Sequence, residues 1–135
     1  MAYWLVKSEP DTWSWDAHLK AGAADAWTGV RNFQARAHLA NMKKGDKVFY
    51  YHSGDAKAVV GVSEVAHEAY PDPTDKDGKF LAVDLRADRP LKRPVTLAEI
   101  KANPAFKDMV LVRSSRLSVQ PVTADEWKRI IDLGS

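Results

Sequence analysis

The chain has 135 residues, 45% hydrophobic and 28% charged, which predicts one globular domain over residues 1–135 and excludes disorder. The absence of cysteine excludes disulfides, thiolate catalysis and thiolate metal sites. A net charge of +2 is too mild to hold nucleic acid by bulk field, so any such role must come from a site.

Met1 to Lys7 is apolar over too few residues for a signal peptide or membrane span, which predicts a cytosolic or nucleoid-associated protein without membrane contact. Tyr3 to Lys7, aromatic and β-branched, reads as the first strand; Ser8-Glu9-Pro10 ends it, since proline offers no ladder donor. Asp11, Thr12 and Ser14 are candidate N-caps for a short helix that Gly22 closes.

The next segment, Ala26-Trp27-Thr28-Gly29-Val30-Arg31-Asn32, fits no secondary-structure period. Thr28-Gly29 places Trp27 at a bend, and Arg31 and Asn32 fall at the start of a helix. That helix runs from Asn32 to Met42, with Phe33, Ala37 and Met42 facing inward and Gly45 near its end. Lys47 to Ser53 alternates Val48, Tyr50 and His52 against Phe49, Tyr51 and Ser53, a strand with two usable faces. Ser53-Gly54-Asp55 turns the chain, and Ala58 to Val65 pairs back. Tyr70 to Gly78 is a Pro/Asp/Gly loop, followed by a strand from Phe80 to Arg86.

Two capping boxes mark the last third. Thr96 with Glu99 opens a short helix ending before Asn103-Pro104, and Thr123 with Glu126 opens the final one. Trp127, Ile130 and Ile131 recur at i, i+3 and i+4, so the final helix docks on the sheet. Between these helices, Met109 to Val112 and Leu117 to Val119 read as short strands separated by Arg113-Ser114-Ser115-Arg116. This order predicts an α+β chain: a small, mixed, barrel-like sheet with flanking α-helices.

Four places carry candidate chemistry, each with a structural alternative. Trp27 with Arg31 and Asn32 offers an aromatic face, a planar cation and an amide at a helix start, which suits a flat heterocycle attached to phosphate. Equally, Trp27 plugs the core and Arg31 pairs with an acid. Lys7-Ser8-Glu9 stands where a strand ends; Glu9 there can accept from a base amino group, or the segment is an exposed turn. Tyr50-Tyr51-His52-Ser53 suits stacking and hydrogen bonding, or cross-strand packing. Arg113-Ser114-Ser115-Arg116 is a phosphate grip or an ordinary surface loop, and Lys43-Lys44-Gly45-Asp46-Lys47 is a basic turn.

Enzyme readings find less support. His18, His38, His52 and His67 lack any metal-ligand spacing, and no nucleophile elbow, Walker loop or dinucleotide fingerprint is present. No metal or cofactor is expected.

In order along the chain, Tyr3 to Pro10, Trp27 to Asn32 with Ala35-Arg36, Met42 to Asp46, Phe49 to Ser53, Gly61 to Val65 and Ser115 to Val119 resemble the EVE domain family, a branch of the PUA-like fold. The resemblance spans essentially the whole chain. It implies a PUA-like barrel related to readers of methylated adenine and of modified cytosine, and a partner that is DNA or RNA carrying a modified base. It further implies one pocket lined by Lys7, Ser8, Glu9, Trp27, Arg31, Asn32, Tyr51, His52, Ser53, Ser115 and Arg116. In that arrangement Trp27 and one strand tyrosine sandwich the base, and Glu9, Asn32 and Ser53 read its edge. Lys7, Arg31 and Arg116 hold the flanking phosphates. Two other functions remain in view: a general RNA-binding accessory module, and an enzyme using Glu9 or His52 as acid or base.

Overall fold

A computed structural model of the chain describes residues 2–9, 14–21, 25–54, 57–114 and 116–135, with residues 21 and 25 described by backbone only. Six strands form one sheet in the order β2-β5-β4-β3-β1-β6, curled into a half-barrel. They are β1 (Tyr3–Ser8), β2 (Asp25–Trp27), β3 (Lys47–His52), β4 (Ala58–Pro71), β5 (Leu81–Thr96) and β6 (Val119–Val122). The helices are α1 (Trp15–Ala21), α2 (Phe33–Asn41), α3 (Leu97–Ala102), α4 (Val110–Arg113) and α5 (Ala124–Leu133), with a 3-10 turn at Pro104–Phe106. β1 and β3 run parallel at the centre, and the other pairs are antiparallel, so the sheet is mixed as expected.

Both faces of the sheet are covered. Trp4, Val6, Val48 and Tyr50 point to one side, where Trp15 of α1 and Ala35 and Leu39 of α2 close the core. Leu5, Phe49 and Tyr51 point to the other, against Ile100, Phe106, Leu111 and Ile130. Strand alternation divides neighbouring residues between the two cores, and this lets Val48 to Tyr51 all be buried. On the second face, Trp127 of α5 stacks on Phe49 and Tyr3, with centroids 3.8 Å and 4.7 Å away. Both predicted capping boxes form.

The structure departs from the sequence reading at several elements. β4 and β5 run on to Pro71 and Thr96, because repeated register shifts bend the ladder and leave room for Pro90 and Pro94. Trp27 closes the short strand β2 before the Thr28-Gly29 bend. In α2 the inward residues are Ala35 and Leu39, four apart, with Met42 following the last turn; Phe33 and Ala37 face solvent. Met109 to Val112 is not a strand: Val110–Arg113 coils as α4, and burial of Met109 and Leu111 outweighs β-propensity. The last strand begins at Val119 and pairs with β1 as an edge strand, where Pro121 is tolerated. Ser14 caps α1 by accepting from the Ala17 N–H at 3.0 Å, whereas Asp11, Thr12 and Gly22 lie outside the described residues.

Candidate nucleic-acid interface

The end of β1, the segment after β2 and the start of β6 converge on one cleft of about 520 Å³. Its lining contains Lys7, Ser8, Glu9, Ala26, Trp27, Thr28, Gly29, Val30, Arg31 and Ser118. Backbone pairing brings these segments together. The Lys7 N–H donates to Ser118 O at 2.9 Å, and the Ser53 N–H donates to Ser8 O at 3.0 Å.

Trp27 is half-exposed in this cleft, and its ring meets Tyr50 edge to face, with centroids 5.6 Å apart at 86°. Tyr50 is fully buried and anchors an aromatic cluster, stacked on His18 at 5.2 Å and edge-on to Trp15 at 5.4 Å. Gly61 makes the cluster possible, because a Cβ there would run into the Trp15 indole. Trp27 is therefore both a packed residue and a cleft wall.

The segment 28–31 is latched by Asp72, a side chain with no solvent exposure. Its carboxylate accepts from the Gly29 N–H at 2.8 Å, Arg31 Nη1 at 3.0 Å, and the Thr74 N–H and Oγ1 at 2.7 Å each. Burial alone would raise its pKa, but the hydrogen bonds from Thr74, Gly29 and Arg31 outweigh that and hold it at about 2. Gly29 has φ of +84°, a left-handed conformation that favours glycine. Sequence reading passed over Asp72 as part of a loop. The signal was available, since Pro71-Asp72-Pro73-Thr74 carries an acid and a hydroxyl two residues apart, the spacing of a side-chain-capped turn.

Lys7 is half-buried, and its Nζ lies 5.7 Å from the centroid of the Tyr51 ring. Burial lowers the Lys7 pKa and raises that of Tyr51. Glu9 is exposed at the rim, and its carboxylate has no partner among the described residues.

Among the described residues, the candidates Asn32, Tyr51, His52, Ser53 and Arg116 are not in the lining of this cleft. Tyr51 is buried on the opposite face of the sheet, so neither strand tyrosine provides a second wall opposite Trp27. His52 turns toward α1, where its Nε2 accepts the Trp15 N–H at 2.9 Å. That bond needs a neutral ring, and burial lowers the His52 pKa against the opposing pull of Asp16. Asn32 caps α2, its Oδ1 accepting the Ala35 N–H at 2.9 Å. Asn32 and Arg116 line a second groove of about 300 Å³ with Gln34, Ser114 and Leu117. Ser115 lies outside the described residues. Ser118, Thr28 and Val30 were missed, because small residues in a loop carry no sequence signal until the backbone aligns them. Among the described residues no acidic or histidine cluster could hold a metal, and no helix is long and apolar enough to cross a membrane.

Residues 2–133 match the profile of the EVE domain. An NMR structure from Rhodopseudomonas palustris is 58% identical, with a TM-score of 0.94 over 99% of this chain and 93% of that one. Human thymocyte nuclear protein 1 is 32% identical over 165 residues, covering 98% of this chain and 73% of its own length. Its crystal structure in complex with 5-methylcytosine containing DNA has a TM-score of 0.90 at 34% identity, over 100% of this chain and 98% of that one. A YTH domain of Zygosaccharomyces rouxii, in complex with N6-methyladenosine RNA, shares the fold at a TM-score of 0.63 and 20% identity, over 99% and 86% of the two chains.

Proposed function

This chain belongs to the EVE domain family, and we propose that it is a non-catalytic module that binds a modified nucleobase in the Trp27 cleft, 5-methylcytosine in DNA foremost. One observation carries the reading. An aromatic wall, a cation and an unengaged carboxylate converge in a cleft of about 520 Å³, and a relative of the same fold is seen with 5-methylcytosine DNA.

The chemistry of cytosine matches that lining. Its exocyclic amine is a donor that Glu9 can accept, and its ring acceptors suit the Lys7 ammonium. Extruding a base from a duplex costs a few kcal/mol, and stacking on an aromatic ring returns about 1–3 kcal/mol per base. Binding alone calls for no general base, and the His52 lone pair is already engaged by Trp15. Arg116, exposed in the second groove, supplies a cation for the phosphates that flank the base. Arg31 serves chiefly as a tether, since Asp72 neutralises it.

Anisotropy titrations test this with labelled oligonucleotides that carry cytosine, 5-methylcytosine or N6-methyladenine at one position, single- and double-stranded. The expected order puts 5-methylcytosine tightest, by the roughly tenfold margin that one methyl group gives in a shaped pocket. Equal affinity for all three overturns the reading. Conversion of the modified nucleoside, followed by chromatography, overturns its non-catalytic part.

A further inference from the structure

Beside the cleft, on the first turn of α2, Phe33 is 64% exposed. Its ring stacks on Phe80 at 4.9 Å and 28°, and the Arg31 guanidinium lies 5.5 Å from the centroid of Phe80. Arg31 also lines the cleft, so this aromatic pair is continuous with it. Phe80 is fixed from beneath: Asp75 accepts its N–H at 2.8 Å and the Lys79 N–H at 2.7 Å. Phe33 takes no part in either core, and its outer surface is left to solvent.

We propose that Phe33 and Phe80 form a second aromatic subsite, which stacks the nucleobase flanking the one held in the Trp27 cleft. The inference rests on the base-binding reading of that cleft. A flat apolar surface recognises the face of a base, and every base offers one, so this subsite adds affinity with little sequence preference. Charge also favours a base over a phosphate here. The Arg31 cation is balanced by Asp72, and on the same loop Lys76 and Lys79 balance Asp75 and Asp77, so no net positive charge is left to draw a phosphate. A base extruded into the cleft leaves its neighbour unstacked on one side, and an exposed ring next to the mouth covers that face.

The test uses oligonucleotides with one 5-methylcytosine and 2-aminopurine at the 5′ or the 3′ neighbour, whose emission falls on stacking. The wild-type protein should quench one of the two positions. Phe33→Ala and Phe33→Leu should lose the quenching and bind the oligonucleotide about tenfold more weakly. Both variants should bind free 5-methyl-2′-deoxycytidine as the wild type does, because the cleft is untouched. Wild-type affinity and quenching in both variants overturn the subsite, as does an equal loss of nucleoside binding. A lower sedimentation mass of the unliganded Phe33→Ala protein reassigns the surface to self-association and also overturns it. If the wild type binds the nucleoside but no oligonucleotide, the subsite alone fails; if it binds neither, the cleft reading falls and takes the subsite with it.

Discussion

Asp72 holds Arg31 across 41 positions of sequence, with Oδ2 accepting from Nη1 at 3.0 Å while it also accepts the Gly29 N–H at 2.8 Å. One buried carboxylate thus fixes both ends of the segment that walls the cleft. Its pKa of about 2 lies below the ordinary value of 3.8, so the stabilisation is complete above that value and is lost as pH falls toward 2. Asp72→Asn should cost about 2 kcal/mol at neutral pH, measured by denaturant midpoint. The same variant should weaken ligand binding by loosening the wall. An unchanged midpoint would show that the latch contributes nothing.

His52 gives a pH dependence of the same sign, in a higher window. Burial lowers its folded pKa below 6.5, and Asp16 opposes this. The unfolded chain takes up a proton first as pH falls through 6.5, so stability declines from there until the folded ring protonates. His38, also lowered by burial, adds to the same decline. His52→Gln keeps an acceptor near the Trp15 N–H and should make the melting temperature fall less steeply between pH 7 and pH 5 than in the wild type.

Gly61→Ala should destabilise the fold by roughly 1–3 kcal/mol, the usual cost of overpacking, since the new Cβ meets the Trp15 indole. Trp15 would then shift against Tyr50, which supports Trp27. Thermal melts with near-ultraviolet circular dichroism should show a lower midpoint and an altered aromatic signal.

Arg116→Ala should weaken binding of modified and unmodified oligonucleotides by the same factor. The log–log salt slope should fall by about one, as for one lost phosphate contact. A change in the ratio between the two oligonucleotides would place Arg116 at the base instead.

Much of this architecture is legible in the sequence because periodicity and caps are local. Tyr3–Ser8, Lys47–His52 and the capping boxes at Thr96 and Thr123 follow directly from alternation and side-chain chemistry. Phe33 was misplaced because the buried stripe of α2 runs through Ala35 and Leu39, and its ring packs instead on Phe80, 47 positions away. For Asp72 the local turn with Thr74 is legible, but its partners Gly29 and Arg31, which make it a latch, reach it only through the fold. In the same way, the segments 7–9 and 27–31 were visible separately, and the strand pairing that unites them around Ser118 was not. Arg31 illustrates the division well: its residue type suggested phosphate, and its partner made it a tether.

If Trp27 holds the modified base, the methyl preference must depend on its ring, and a Trp27→Leu variant measures that dependence. Leucine retains an apolar contact with Tyr50 and removes the stacking face. Matched oligonucleotides with cytosine or 5-methylcytosine at one position are titrated against both proteins. The wild type should prefer the methylated strand about tenfold, and the variant, folded with a similar melting temperature, should bind both weakly and equally. A variant that keeps the wild-type affinity and preference would contradict that role of Trp27.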